Sequence, residues 1–304
     1  MEGERITNKT SLNQTSDIEN NTSSTMFKIV TLAIFICSSC SQPANIKNPA
    51  GYDLSKPETV KLPSELNEIS GITFNSGKPD SMYAVQDEEG RLFYFSPGNL
   101  AVKSIKFGKK GDYEDLSACK GTMVILRADG TLLTFTLDVA GSEEVNVVQE
   151  FEGLVPKAEY EAMFADESSN EIFVLCKSCK VDNAKQLTGY RLQLNNDGTI
   201  AFKNNFVIDT RQIAAGSEGK KGAFRPSAIA KNKLTNEWFI LSSVNKMLVV
   251  MDDQWRVKDV YPLNAAMFAQ PEGIAFDLQN NLYISNERVD LGSATVLKFI
   301  YTKK

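Results

Sequence analysis

The chain has 304 residues, with 38 acidic side chains against 33 Lys and Arg and a net charge of −5. That balance argues against nucleic acid or an anionic lipid surface as a partner. There is no histidine, which removes His general bases, His-containing triads and most catalytic zinc sites together.

Residues 2–25 are polar, rich in Asn, Thr and Ser, and lack the pattern of a folded element. Met26-Phe27-Lys28 then opens a short basic start, followed by an apolar run over 29–37. The run is too short to span a bilayer and fits the core of a signal peptide. Met26 is therefore the expected true start. The run ends in Cys37-Ser38-Ser39-Cys40-Ser41. Small residues just before a cysteine resemble a bacterial lipoprotein cleavage site, with Cys40 as the lipidated residue; an ordinary secretory signal is the alternative. We read 1–39 as extension plus lipoprotein signal peptide, 40–54 as a Pro- and Asn-containing tether, and 55–304 as one domain.

From residue 58 the chain is a series of short apolar runs. The runs 69–74, 81–86, 91–96 and 101–107 make a first group of four. The second group is 115–119, 122–126, 131–137 and 144–150, and the third is 162–165, 171–176, 189–194 and 200–208. The fourth is 228–231, 237–242, 247–252 and 257–263. The fifth has only 273–277, 281–285 and 294–300. Each group opens on an anchor at 70, 114, 161, 227 or 272: Ser70-Gly71-Ile72, Glu114-Asp115-Leu116, Glu161-Ala162-Met163, Ser227-Ala228-Ile229 and Glu272-Gly273-Ile274. A period of about 40–50 residues built from short strands is the mark of a β-propeller. The expected fold is all-β: five four-stranded blades, the last completed by the N-terminal strand 58–62, which leaves no open edge. Six blades is the alternative, if the long gap from 161 to 227 hides another. The Gly- and Lys-rich stretches 176–187 and 210–225 read instead as loops. Glu89-Gly90, Asp129-Gly130 and Asp197-Gly198 read as hairpin turns with positive φ.

The ordered series Glu68-Ile69-Ser70-Gly71-Ile72, Asp112-Tyr113-Glu114-Asp115-Leu116, Glu159-Tyr160-Glu161-Ala162, Cys176-Lys177-Ser178-Cys179, Gln270-Pro271-Glu272-Gly273-Ile274-Ala275 and Asn286-Glu287-Arg288 resembles the SdiA-regulated domain family of bacterial propellers, in its Bacteroidetes-type lipoprotein form. The resemblance covers about residues 57–300. It implies the fold and a place in the cell envelope, and leaves the biochemical role open. Acidic residues directly after the lipidated cysteine accompany surface export in such lipoproteins. Ser41-Gln42-Pro43-Ala44-Asn45 has none, so an outer-membrane lipoprotein facing the periplasm is expected.

The anchors begin the innermost strands, near the channel axis. Glu114, Glu161 and Glu272 are three of the five, with Glu68, Asp115 and Glu159 beside them. Converging carboxylates need a counter-charge. Ca²⁺ takes 6–8 oxygen ligands, and Glu114, Glu161 and Glu272 would be its donors. Arg225 and Arg288 are the alternative counter-charges, with Asn286 and Glu287 completing the candidate binding set. The acids could also be wet channel lining, or catalytic. Cys176-X-X-Cys179 suits a local disulfide in an oxidising envelope, with redox chemistry as the alternative, and Cys119 reads as a buried free thiol. Trp238, Trp255, Phe239, Tyr83, Phe95 and Phe276 read as packing between blades, whereas Tyr113 and Tyr160 could line the channel mouth.

Three functions fit. The first is a membrane-tethered binding or scaffold module for a small ligand or protein partner, without nucleic acid. The second is a Ca²⁺-dependent hydrolase of the lactonase, esterase or phosphatase kind, using Glu272, Asn286 and Glu114. The third is a redox or sensor module at Cys176 and Cys179. The first is preferred, because propellers host many functions and nothing in the chain marks a reaction.

Overall fold

A computed structural model describes residues 47–137, 142–216 and 222–303. Cys40 and the segments expected to form the signal peptide and the start of the tether lie outside these residues. Alternating apolar side chains make each run a strand that packs on both faces. Before the first blade comes β1 (Glu58–Lys61). Blade one holds β2 (Ile69–Phe74), β3 (Met82–Gln86), β4 (Arg91–Ser96) and β5 (Asn99–Lys106). Blade two holds β6 (Tyr113–Cys119), β7 (Thr122–Arg127), β8 (Leu132–Thr136) and the short β9 (Gln149–Phe151). Blade three holds β10 (Glu159–Asp166), β11 (Glu171–Ser178), β12 (Gln186–Leu194) and β13 (Ile200–Asp209), followed by α1 (Arg211–Gly216). Blade four holds β14 (Ala228–Asn232), β15 (Glu237–Ser242), β16 (Met247–Met251) and β17 (Val257–Pro262). Blade five holds β18 (Pro271–Phe276), β19 (Leu282–Asn286) and β20 (Thr295–Phe299).

Every sheet is an antiparallel meander of four strands, and β1 supplies the fourth strand of blade five by pairing with β20. The five-blade reading and its N-terminal closure therefore hold. No sixth sheet lies between residues 166 and 228 among the described residues. Instead β11, β12 and the ten-residue β13 run longer than their counterparts, which absorbs the wide spacing. Two loop expectations shift: β11 runs on through Lys177 and Ser178, and α1 forms within 210–225.

The core divides into five layers, one between each pair of neighbouring blades. Alternation decides the layer. On β11, Phe173 and Leu175 face blade four, while Ile172, Val174 and Cys176 face blade two. The tryptophans are packing residues as read: Trp238 and Trp255 stack at 4.5 Å in the layer between blades three and four.

Three local readings are corrected. Gly130 and Gly198 take positive φ, but Gly90 does not need it. Its backbone is pressed against Gly108 and Lys109, where a Cβ would lie 2.4 Å from the Gly108 carbonyl carbon. Tyr113 and Tyr160 do not line the mouth. Each is buried in an inter-blade layer, and each hydroxyl donates to a carbonyl four residues back, Lys109 at 2.9 Å and Pro156 at 2.6 Å. Finally, residues 47–54 pack as part of the domain. Tyr52 is buried among Phe239, Phe276 and Tyr301, and its hydroxyl donates to the Asn280 carbonyl at 2.7 Å.

Candidate functional site

The five innermost strands follow one another around the axis as β2, β6, β10, β14 and β18, and β18 meets β2 again. Ladder hydrogen bonds run within blades, so side chains must join one inner strand to the next. Between blades two and three, Asp115 Oδ2 accepts from the Met163 amide at 2.8 Å and Ser117 Oγ from the Ala165 amide at 3.0 Å. Between blades four and five, Ser227 Oγ donates to the Pro271 carbonyl at 2.9 Å, and between five and one Ser285 Oγ donates to the Ser70 carbonyl at 2.9 Å. Asp115 is thus a structural clamp. Its carboxylate sits where a Cβ on Gly71 would come within 2.4 Å of Oδ1, which explains the small residue after the first anchor. Burial pushes its carboxyl well above the usual carboxylate range, against the two amides that favour the charged form.

The three glutamate anchors share one structural cause. Each is the extra residue in a β-bulge of its inner strand: Glu114 between Tyr113 and Asp115, Glu161 between Tyr160 and Ala162, and Glu272 between Pro271 and Gly273. A bulge leaves its residue out of the ladder and re-aims the side chain. A second register shift in blade three, between Glu159 and Tyr160, leaves Lys177 out of the ladder on β11. Lys177 pairs with Glu161, and with Glu159 at 3.1 Å. It also acts on Glu114 and Glu272. This lysine is the counter-charge that sequence reasoning missed, because it lies inside a segment read as loop. Of the two arginines expected there, Arg288 holds Glu68 at 3.2 Å, whereas Arg225 is exposed and its amide is held by Asn245.

Burial, the nearby Asp112 and its hydrogen bond push Glu114 up to about 8, while Lys177 pulls the other way. Burial raises Glu272 to about 6, eased by Ser243 and Lys177. Glu287 reaches about 8 through burial and the neighbouring Glu68 and Glu272. Burial thus favours the protonated form of Glu114 and Glu287, and Lys177 is the cation that offsets their neighbours. Glu114, Glu161 and Glu272 do not draw together as one ligand set. Among the described residues the group whose donor atoms all lie within 4.8 Å of one another is Cys176, Cys179 and Asp182. Asn286 is turned into blade five, with Nδ2 at 3.4 Å from both the Met267 carbonyl and the Thr295 hydroxyl.

The other end of the channel is unlike this one. A cavity of about 420 Å³ opens there, lined on the axis by Ile72, Leu116, Met163, Ile229 and Ile274 and farther out by Phe164 and Phe276. Exposed Leu234 and Leu278 stand at its rim. Every charged group at the rim has its partner: Lys231 with Asp166 at 3.0 Å, Lys233 with Glu167 at 2.7 Å, and Asp277 with the Asn281 amides and the Tyr283 hydroxyl. Burial opposes ionisation of Asp166, yet Ser168 and Lys231 hold its carboxyl below the usual range. The cavity was not legible in the sequence, since its lining has the same apolar signature as the inter-blade core.

Residues 208–289 match the family model described as SdiA-regulated, in line with the resemblance read from the sequence. No curated protein matches the chain. Among solved structures, the PQQ-bound aldose sugar dehydrogenase from Streptomyces coelicolor is similar with a TM-score of 0.52 at 10% identity, over 84% of this chain and 100% of that one. Glutaminyl cyclase from Myxococcus xanthus gives 0.51 at 12% identity, over 81% and 95%. A luciferin-regenerating enzyme gives 0.50 at 10% identity, over 81% and 95%. At these identities the likeness is one of fold alone.

Proposed function

We propose that this propeller is a binding module of the cell envelope, tethered by a lipid on Cys40, that holds a small, uncharged and largely apolar ligand in its channel. One observation carries the reading: a cavity of about 420 Å³ on the ring axis, apolar on its walls and with its rim charges already paired. Pockets of roughly 300–1,000 Å³ with apolar walls and a few polar groups are the usual form of small-molecule sites. An anionic or cationic ligand would have to compete with Asp166–Lys231 and Glu167–Lys233 for its partner. A neutral one has only water to displace, and burying apolar area is favourable at about 25 cal/mol per Å².

Ala230 lines the cavity, so Ala230→Leu narrows it. Uncharged amphiphiles should raise the melting temperature of the parent, because a ligand that binds only the folded state stabilises it. The shift should be lost in Ala230→Leu, whose own stability falls by about 1–3 kcal/mol from overpacking. Equal shifts in parent and variant would place the ligand elsewhere. The tether is tested separately. The parent should fractionate with membranes and carry a lipid mass on residue 40, and Cys40→Ala should be released. An unlipidated, soluble parent would remove the tether and leave the binding reading standing.

A second reading has its own observation. Glu114 near 8 and Glu272 near 6 at one mouth would supply an acid and a base at neutral pH. A hydrolytic role there predicts turnover of an ester, lactone or phosphate that is lost in both Glu114→Gln and Glu272→Gln. Ca²⁺ added to the parent should raise its melting point only if the acids, against Lys177, take up the ion.

A further inference from the structure

The disulfide between Cys176 and Cys179 accounts for the two sulfurs, but not for the carboxylate beside them. Asp182 follows three residues after Cys179, and its amide donates to the Cys179 carbonyl at 3.0 Å, so the turn folds the carboxylate back onto the cysteines. Cys176 Sγ, Cys179 Sγ and an Asp182 oxygen lie within 4.8 Å of one another. The Thr188 hydroxyl, on β12, donates to Asp182 Oδ1 at 2.5 Å and fixes the group. Oδ2 is buried and has no hydrogen-bond partner. A shielded carboxylate oxygen without a donor is costly, and this one stands next to the two best soft-metal donors in the domain.

We propose that reduction of this disulfide opens a site for a borderline divalent cation such as Zn²⁺, held by Cys176, Cys179 and Asp182 with water in the fourth position. A dithiol reductant supplies two electrons and two protons: the S–S bond breaks, two thiols form, and the reductant is itself oxidised to a disulfide. On binding, the two thiols release their protons and coordinate as thiolates, and the unpartnered Asp182 oxygen becomes the third donor. Two sulfurs and one oxygen in a small volume suit a tetrahedral ion of this class, with an open position for water. Thr188 would act as the positioning residue that orients the carboxylate. Cys176 is fully buried while Cys179 and Asp182 are partly exposed, so the ion would enter from their side. Lys177 lies between the two cysteines at the end of β11, so the segment that the disulfide braces carries the cation of the carboxylate mouth. The site would then report the redox state of the envelope to the channel.

The experiment uses the processed, full-length protein, oxidised and dithiol-reduced, with Co²⁺ as spectroscopic probe and Zn²⁺ in competition with a chromophoric chelator. Reduced protein should bind one ion per chain and show a sulfur-to-cobalt charge-transfer band with tetrahedral ligand-field bands. Oxidised protein should bind none at this site. Cys179→Ser should abolish the charge-transfer signal of a two-sulfur site, and Asp182→Asn should weaken Zn²⁺ binding while circular dichroism stays that of the parent. Thr188→Val should weaken it about tenfold with the spectrum retained. No Co²⁺ spectrum in reduced, folded protein would overturn the proposal. So would an Asp182→Asn variant that binds as tightly as the parent. Loss of the fold on reduction would overturn it as well, because the turn would then not exist without its covalent bond.

Discussion

Removing residues 55–64 should lower the melting temperature by roughly ten degrees or more, since each kcal/mol is worth about 2–4 °C in a domain of this size. The segment contributes far more than its length suggests. β1 makes four ladder positions with β20, from Glu58 opposite Lys298 to Lys61 opposite Thr295. The Leu62 amide donates to the Ala294 carbonyl at 2.9 Å, and Leu62 enters the layer between blades five and one. Without β1, the backbone groups of β20 become an open edge available to other chains. The Glu58–Lys298 ion pair at 3.1 Å is largely exposed on the Glu58 side and adds little. The loss should therefore persist in high salt. Thermal melts of the deletion protein, with sizing to detect edge-to-edge association, check this. A truncated protein that melts within a degree or two of the parent would show that the ring does not depend on its N-terminal strand.

The second large effect concerns Glu114. A carboxyl raised to about 8 in the folded state, against an ordinary value near 4.5, means that the folded protein holds a proton the unfolded chain releases between those values. Its contribution to stability is fully present below about pH 4.5 and is lost as the pH rises through 8. Glu287, also near 8, and Glu272, near 6, add the same sign over their own ranges. Glu114→Gln keeps the shape and the hydrogen-bond donor of the protonated acid but cannot ionise. The variant should match the parent at pH 5 and exceed it at pH 8 to 9 by about 1–3 kcal/mol. The quantity to plot is the difference between variant and parent melting temperatures, which cancels carboxylates elsewhere whose pull is opposite, such as Asp166 and Glu167. A difference that stays flat from pH 5 to 9 would mean that Glu114 is already ionised and solvated.

The parts of this protein that were legible in its sequence are those set by period. Short alternating runs recurring about every 40–50 residues pointed to stacked blades, and the three-stranded fifth group called for a strand from the other end. The equivalence of Glu114, Glu161 and Glu272 was legible for the same reason. Their setting was not. A bulge depends on the register of two strands, and Lys177 meets the acids where β11 carries an extra residue opposite the Glu159–Tyr160 step. Tyr113 and Tyr160 were misplaced by the same blindness, since the bulge after each turns its ring away from the mouth and into the core. The apolar cavity left no trace at all: Ile72 and Ile274, which line it, are also members of the inter-blade layers, like Ile125 and Ile240. Residues 47–54 read as tether because Pro49 and Gly51 dominate them, yet a single aromatic, Tyr52, is enough to seat the segment.

The pairing of β1 with β20 also has a kinetic meaning. The first strand to be made finds its partner in the last, so the closing step cannot occur until nearly the entire domain is available. Loop closure over such a span is entropically expensive, and folds ruled by distant pairings are slow. The final Velcro-like contact then acts as a checkpoint, which only a chain complete at both ends can pass.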